Sequence, residues 1–309
     1  MASETKVAEI FESVKQWGRW GTDDERGALN LLTAERVKAA AGLVQTGVTV
    51  SCAHDLGTVP SVEDQTPPQH MMLMAGDSPE ASGVPGYAQS TDYLGMACHG
   101  MGVSHIDALC HVFVGDQMYN GFASSDVKST GAMKNSIAAA AGGIVGRGVL
   151  LDIPRLRGVD WIEPPDSIGP DELAAAAAAQ GSAVGSGDIL LVATGRDARR
   201  AAQGPWSPFD PGLAGLHRDC IPWLKQADIS VLGSDGISDP LPPHGEFGWP
   251  FPVHQCCIAG MGVHLLDNLD LLGLSGACRQ AGRFEFLFSV QPLRAPLATG
   301  SPVNPVAVL

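Results

Sequence analysis

The sequence predicts a single α/β domain with a mixed sheet and an N-terminal helical arm. Apolar runs typical of buried strands alternate with helical segments along all 309 residues, and no linker-like change in composition divides the chain. With 45% hydrophobic and 17% charged residues, the chain can also bury a large core. We therefore interpret residues 1–309 as one domain, of which 1–45 form the arm.

The N-terminal region is predicted to be helical before a first strand and a long loop. Apolar residues recur at helical spacing over 7–14, and Thr33 is a candidate helix cap. The β-branched alternation in TGVTVSCAHDL (46–56) predicts a strand. Residues 57–92, rich in Pro, Gly, Ser, Asp and Met, predict a long loop. We expect this loop to cover a pocket, with a mobile surface insertion as the alternative.

The rest of the chain predicts alternating strands and helices. Four segments have the apolar or alternating pattern of strands: IVGRGVLLDI (144–153), GDILLVATG (187–195), DISVLGSDG (228–236) and RFEFLFSVQPL (283–293). Two segments predict helices: DSIGPDELAAAAAAQG (166–181), which has Pro and acidic residues in its first turn, and LHRDCIPWLKQA (216–227). The last residues, SPVNPVAVL (301–309), predict an extended tail.

Charge and composition argue against several classes of function. The net charge of −14, from 19 basic and 33 acidic residues, repels phosphate backbones and anionic lipids, so we expect neither nucleic-acid nor membrane binding. No apolar window is long enough to span a membrane, and the polar start does not resemble a signal peptide. The odd count of seven cysteines indicates reduced thiols. We expect a cytoplasmic protein that acts on a small molecule.

Signatures of several common sites are missing from the sequence. It contains no G-x-x-x-x-G-K-[ST], G-x-G-x-x-G, G-x-S-x-G, H-E-x-x-H or C-x-x-C motif. Nucleotide binding, a nucleophile elbow and a thiolate zinc site therefore lack their usual sequence support.

The segment HGMGVSHIDALCHV (99–112) concentrates three histidines and one aspartate among small and apolar residues. If it is extended, His99, His105, Asp107 and His111 share one face, because alternate residues of a strand do so. If the chain turns helical after Asp107, His111 lies four residues later and again falls on the same side. Both geometries bring His105, Asp107 and His111 to one place.

Imidazole and carboxylate groups on one face are suitable ligands for Zn²⁺ or Mn²⁺. The same groups could orient a general base without a metal. A third interpretation is a buried, hydrogen-bonded polar cluster with no chemical role, although burying such groups without a task is costly.

The pattern Ser104-His105-x-Asp107-x-x-x-His111 resembles the Thr-His-x-Asp-x-x-x-His core of the cyclase family of metal-dependent hydrolases, which includes kynurenine formamidases and isatin hydrolases. The flanking segments are also similar to its longer members: RWGTDDERGALNLL (19–32), MYNG (118–121), VLGSDGISD (231–239), PVHQ (252–255) and GVHLLDNLDL (262–271). The resemblance implies a swivelling β/β/α fold and hydrolysis of an amide, lactam, ester or lactone. It also implies that His105 and Asp107 bind metal and that His111 binds metal or acts as acid/base.

The sequence departs from the family pattern at several positions. Met101 stands where the pattern has a further histidine, and we predict that His99 substitutes for it as a ligand. The resemblance also places Gln255, next to His254, and Asp267 near a downstream histidine and a glutamate of two-metal relatives. Because Gln is a weak ligand and Asp is shorter than Glu, we expect one ion per chain, with Gln255 as a further candidate ligand.

The leading hypothesis is hydrolysis by water that the metal activates, with Asp107 or His111 moving the protons. Apolar pocket walls are expected from 70–93 and 244–251, and His244 lies either at the pocket edge or in a solvated loop. A ring-forming cyclase acting on a polyketide-like intermediate and a non-catalytic metal- or ligand-binding protein are the alternatives. The apolar tail and the long loop suggest a subunit interface, so a homo-oligomer, dimer or tetramer, is expected.

Overall fold

The computed structural model describes residues 6–78, 83–243 and 245–309. The helices are α1 (Val7–Val14), α2 (Ala34–Ala41), α3 (Ile153–Arg157), α4 (Pro170–Ala179), α5 (Arg196–Gln203), α6 (Cys220–Ala227), α7 (Pro252–His254), which continues as a π-helix (Gln255–Met261), and α8 (Leu272–Ala281). Short 3₁₀ helices lie at Gly27–Leu31, Tyr119–Gly121, Ser124–Asp126 and Ile137–Ala140.

The strands are β1 (Thr49–Ser51), β2 (Gln69–Met74), β3 (Thr91–Gly95), β4 (His105–Asp107), β5 (Val127–Lys128), β6 (Gly131–Ala132), β7 (Ile144–Asp152), β8 (Ser167–Ile168), β9 (Ile189–Ala193), β10 (Gly215–Leu216), β11 (Val231–Ser234), β12 (His264–Asp267), β13 (Glu285–Val290), β14 (Gly300–Pro302) and β15 (Val306–Val308).

One mixed sheet organises the described part of the chain. Its nine strands run in the order β1-β15-β13-β7-β9-β11-β12-β4-β14. The central strands β7, β9, β11 and β12 are parallel, and the pairs at both ends are antiparallel. Parallel strands are buried on both faces, which explains why 187–195 and 228–236 appear in the sequence as continuous apolar runs. The predicted α/β fold with a mixed sheet is confirmed.

The sheet separates two hydrophobic cores. Along β9, Leu190 and Val192 contribute to one core, whereas Ile189, Leu191 and Ala193 contribute to the other. Helices α1, α4 and α6 pack in the first core and α8 in the second. No helix in the described ranges is long and apolar enough to cross a membrane.

The helix and strand predictions are confirmed at most positions. The four apolar residues of the 7–14 pattern are the buried face of α1, and Thr33 Oγ1 accepts the backbone N–H of Arg36 at 3.4 Å at the start of α2. Strands β7, β9, β11 and β13 and helices α4 and α6 lie where their segments predict them. The strand predicted over 46–56 is shorter, covering only Thr49–Ser51.

Two regions differ from the expectation. Residues 57–92 do not form a loop alone, because β2 pairs with β3 as an antiparallel hairpin. The hairpin carries exposed apolar side chains at Met71, Met72 and Leu73, so no alternation of buried and exposed residues marks it in the sequence. The tail 301–309 is extended as predicted, but it lies within the main sheet, to which β14 and β15 belong. Val303, Ala307 and Leu309 are buried in the chain's own core, and Val306 and Val308 are half-buried.

Candidate metal centre

Strand β4 places two of the candidate side chains, and its neighbour β12 adds a third. His105 and Asp107 are two residues apart on β4, so both point to the same face. In the antiparallel register Asp267 of β12 lies directly opposite His105, and cross-strand partners also share a face. All three side chains are buried. The sheet therefore presents one imidazole and two carboxylates together.

The chain reaches the same place from both sides of β4 through turns. After the strand, the N–H of His111 donates to the carbonyl of Ala108 at 3.0 Å, and the ring Nε2 arrives 4.0 Å from Asp107 Oδ1. Before the strand, Gly100 adopts a φ of +116°, and His99 Nδ1 donates to Asp107 Oδ1 at 2.8 Å. The extended geometry therefore holds for His105–Asp107 but not back to His99, which reaches Asp107 through a turn.

The rings of His99 and His111 stack face to face, with their centroids 3.7 Å apart. His99 Nε2 also lies 3.0 Å from Thr299 Oγ1. Met101, at the position of the missing family histidine, does not line the cavity beside Asp107; its carbonyl accepts from Asn268 instead.

His254, the neighbour of Gln255 in the sequence, completes the cluster. Its Nε2 lies 3.2 Å from Asp267 Oδ2 and 3.8 Å from Asp107 Oδ2. Its Nδ1 donates to Asp239 Oδ2 at 2.7 Å. The segments PVHQ and VLGSDGISD, which carry the family resemblance, therefore meet at this ring.

Gln255 lines the same cavity, but its side chain is used elsewhere. Its Oε1 accepts the N–H of Phe251 at 3.2 Å, and its Nε2 donates to the carbonyl of Gly248 at 3.2 Å. These bonds hold the loop before α7. The predicted ligand role of Gln255 stays a prediction without support from this geometry, and His254 is the residue of PVHQ that faces the carboxylates.

Burial and mutual contacts shift the pKa values of the cluster. Burial alone would raise the pKa of Asp107, but the hydrogen bond from His99 and the neighbouring imidazoles hold it well below its usual range. Burial lowers the pKa of His111 to about 4. Burial would also lower the pKa of His254, but its bonds to Asp239 and Asp267 raise it well above the usual value. Burial raises the pKa of the Cys110 thiol to about 12, consistent with a small core residue.

The donor set fits a divalent cation. Asp107 Oδ2 and Asp267 Oδ1 are buried without any hydrogen-bond partner. His105 Nδ1 donates to the carbonyl of Val103 at 2.9 Å, which leaves the lone pair of Nε2 on the side of Asp107. Buried, unpartnered carboxylate oxygens beside imidazole lone pairs are costly unless a cation neutralises them.

Among the residues that the structure describes, two overlapping groups could hold such an ion. Within each group the ligand atoms lie within 4.8 Å of one another, and both groups use Asp107: His99, Asp107 and His111 in one, His105, Asp107 and Asp267 in the other. His254 Nε2 adjoins the second group through Asp267 and Asp107. Nitrogen and oxygen donors of this kind suit Zn²⁺ or Mn²⁺.

The cluster forms the floor of a cavity of about 400 Å³. Its walls are mostly apolar and come from Val112, Phe113, Ile237, Pro250 and Phe251. The described lining includes neither Lys nor Arg, and none of it comes from 57–92. The wall predicted from 244–251 is present at its C-terminal end, whereas His244 lies outside the described residues. A pocket cover formed by 57–92 stays a prediction.

Comparisons with known proteins extend these observations. Residues 64–239 match the Cyclase family model, described as "Putative cyclase". A crystal structure described as a novel cyclase is 33% identical and superposes with a TM-score of 0.85, covering 96% of this chain and 99% of that one. No curated protein matches the sequence.

More distant structures share the fold. Isatin hydrolase A from Labrenzia aggregata, bound to benzyl benzoate, is 21% identical with a TM-score of 0.59, covering 87% of this chain and 94% of that one. A predicted metal-dependent hydrolase from Bacillus stearothermophilus is 14% identical with a TM-score of 0.51, covering 84% of this chain and 97% of that one. At these identities the similarity concerns the fold.

Proposed function

The chain belongs to the Cyclase family, and from this membership and the geometry of the centre we propose that it is a metal-dependent hydrolase of an amide, lactam, ester or lactone bond. The observation that carries the proposal is the pair of buried, unpartnered oxygens of Asp107 and Asp267 among imidazoles, at the floor of an open cavity. A merely structural polar cluster would pair these atoms.

Among the described residues, those placed to hold the ion are His105, Asp107 and Asp267, with His99, His111 and His254 around them. When bound, Zn²⁺ or Mn²⁺ would lower the pKa of water and polarise a carbonyl oxygen. We expect one ion per chain, because the Gln255 side chain is bonded to its own loop and Asp267 is shorter than the glutamate of two-metal relatives.

His111 is the residue best placed to move protons. Its side chain lines the cavity and is 30% exposed, so a substrate can reach it. Because burial lowers its pKa to about 4, the ring is neutral near pH 7 and can accept a proton at Nε2 from attacking water. The same nitrogen can then return the proton to the leaving nitrogen or oxygen. The stacked ring of His99 limits the rotation of His111.

The cavity favours a small, uncharged, cyclic or aromatic substrate. Phe113, Phe251 and Ile237 offer apolar contact area, and the described lining has no cationic side chain to pair with a substrate carboxylate. The net charge of −14 disfavours anions further. The fold is shared with an isatin hydrolase that binds the aromatic ester benzyl benzoate, which supports this substrate class.

The test combines metal analysis with product analysis. Elemental analysis of the purified protein should find about one Zn²⁺ or Mn²⁺ per chain, and a hydrolysis screen of neutral aromatic lactams, lactones and esters should find turnover that chelator removes. Hydrolysis in ¹⁸O-labelled water should place the label in the new carboxylate of the product, whereas a ring-forming cyclase would add no water and produce no labelled acid. His105→Ala and Asp107→Ala should lose both metal and activity. Full metal content and activity in either variant would refute the proposal.

The expected homo-oligomer is a further proposal, and exposed apolar side chains on one hairpin support it. Exposed apolar side chains lie on both faces of the β2–β3 hairpin: Met71, Met72, Leu73, Tyr93 and Leu94. The tail gives no separate support, because its strands belong to the main sheet and Val303, Ala307 and Leu309 are buried in the core. Light scattering on wild type and on Met72→Glu should give a larger mass for wild type, and a monomeric wild type would refute the proposal.

A further inference from the structure

Asp239 lies behind the candidate metal centre and contacts it through one ring. The residue has no exposed surface, and its carboxylate accepts three N–H groups. Oδ1 accepts the backbone N–H of Val253 at 2.9 Å, and Oδ2 accepts the backbone N–H of His254 at 3.0 Å. The third donor is Nδ1 of the His254 ring, at 2.7 Å from Oδ2. One carboxylate therefore binds both the backbone and the side chain of His254.

The backbone around Asp239 leaves this carboxylate little freedom. Ser238 adopts a φ of +63°, and the N–H of Asp239 donates to the carbonyl of Ile237 at 2.8 Å in a tight turn. Gly215 packs against the same peptide so closely that a Cβ there would lie 2.4 Å from the carbonyl carbon of Asp239. The carboxylate is thus held in place before any metal binds.

This geometry determines which nitrogen of His254 faces the centre. With Nδ1–H donated to Asp239, Nε2 is directed at Asp267 Oδ2, 3.2 Å away, and at Asp107 Oδ2, 3.8 Å away. Nε2 can face these carboxylates as an N–H that donates to Asp267 Oδ2, or as a lone pair when a cation lies between it and the two carboxylates. A carboxylate behind an imidazole also increases the basicity of the opposite nitrogen.

We propose that Asp239 is a positioning residue that fixes the orientation and tautomer of His254, so that Nε2 serves as a metal ligand beside Asp107 and Asp267. The inference rests on the proposed function, since it assumes a metal at this centre. A purely structural alternative exists, because Asp239 also accepts the first backbone N–H groups of α7. The experiment must separate the two roles.

The experiment compares Asp239→Asn, His254→Gln and the double variant. Zn²⁺ affinity is measured by competition with a chelator, and the absorption spectrum of the Co²⁺-loaded protein reports the ligand set. Loss of a carboxylate behind a ligand histidine typically lowers metal affinity by about 10–100-fold, and we expect a loss in that range together with a changed Co²⁺ spectrum for Asp239→Asn. If Asp239 acts through His254, the double variant should bind no more weakly than His254→Gln alone.

Asp235→Asn is the matched control. Asp235 is also buried, lies four residues earlier and accepts the N–H groups of Thr194, Gly195 and Arg196 at the start of α5, without contacting His254. We expect this variant to keep its Zn²⁺ affinity within about twofold and its Co²⁺ spectrum unchanged, even if it melts earlier. A loss equal to that of Asp239→Asn would assign the effect to helix capping and overturn the proposal.

Two further outcomes are decisive. The proposed role of Asp239 would be overturned if Asp239→Asn bound Zn²⁺ as tightly as wild type. It would also be overturned if the fold-losses in Zn²⁺ affinity of the two single variants multiplied in the double variant. His105→Ala tests the centre itself: if it binds Zn²⁺ as wild type does, the proposed function fails, whereas loss there with none in Asp239→Asn defeats only this inference. If Asp239→Asn does not fold, ¹⁵N–¹H couplings of the metal-loaded wild type decide, because a proton on Nε2 of His254 contradicts the proposed tautomer.

Discussion

Metal binding should raise the melting temperature of the wild-type protein, and Asp107→Asn should abolish this rise. Asp107 is fully buried and belongs to both groups that could hold the ion. One of its oxygens has no partner in the protein, so a cation would satisfy it. Asparagine has nearly the same shape but offers a neutral amide. It therefore removes the shared charge with little change in packing volume.

The size of the effect follows from the chain length and from mass action. A ligand at one hundred times its dissociation constant stabilises the native state by about 2.7 kcal/mol. With an unfolding entropy near 2.1 cal/mol/K per residue, a chain of 309 residues has about 0.65 kcal/mol/K. The wild-type melting temperature should thus rise by about 4 °C in saturating Zn²⁺ or Mn²⁺, whereas Asp107→Asn should shift by less than about 1 °C.

Differential scanning calorimetry with and without metal measures both shifts. Asp152→Asn is the control, because Asp152 is equally buried on the same sheet but pairs with Arg279 away from the centre. It should melt earlier than wild type and still gain about 4 °C from metal. The reasoning is refuted if metal raises the melting temperature of Asp107→Asn as much as that of wild type, or if metal does not raise the melting temperature of wild type.

Three further predictions address the proton carrier, the cavity wall and the pH dependence of stability. His111→Gln should keep the metal but lower kcat by about 10²–10⁴-fold, measured by steady-state kinetics together with metal content. Phe251→Ala should raise KM for an aromatic substrate about tenfold, a loss of roughly 1.4 kcal/mol, with kcat changed less than threefold; an unchanged KM would exclude Phe251 from the binding wall. Burial raises the pKa of Asp197 to about 7, so the folded state resists ionisation of this carboxyl above its ordinary pKa. Asp197→Asn should therefore stabilise the protein at pH 8, by at most about 4 kcal/mol, and this gain should vanish as the pH falls to about 4; urea denaturation at both pH values checks the sign.

The central strands could be predicted from the sequence because they consist almost entirely of apolar residues. A strand buried on both faces needs apolar residues at every position, so GDILLVATG indicates β9 without knowledge of its neighbours. The β2–β3 hairpin has no such pattern of buried apolar residues. Its residues are mostly exposed and include Met71, Met72 and Leu73, so nothing in QHMMLM separates it from an apolar loop.

Three residues of the centre, His105, Asp107 and His111, could be predicted from their spacing in the sequence. His105 and Asp107 share a face in any strand, and His111 follows Asp107 at a distance that suits either a strand or a turn. His99 reaches the centre for a different reason than expected, since the left-handed Gly100 turns the chain back to Asp107. The spacing brings the right residues together even though the chain is extended only over His105–Asp107.

The choice between His254 and Gln255 depends on hydrogen bonds and not on position, because both side chains line the cavity. His254 contacts Asp239 and Asp267, which lie more than ten residues away in the sequence. No periodicity in PVHQ reveals these contacts. The hydrogen bonds of Gln255 to its own loop then leave His254 as the residue that turns toward Asp107 and Asp267.

The positions of the remaining residues of the centre follow from which strands are neighbours in the sheet. Strands β11 and β12 are parallel neighbours, so their carboxyl ends lie at the same edge of the sheet. Asp267 ends β12, and Asp239 follows shortly after β11. Polar residues directly after adjacent parallel strands converge at the edge where ligands bind in open α/β sheets. The segments VLGSDGISD and GVHLLDN thus place two acidic residues near each other, but only after the two strands are known to be paired. Pairing is a long-range property, and this explains why the histidine between those carboxylates could not be identified from local spacing.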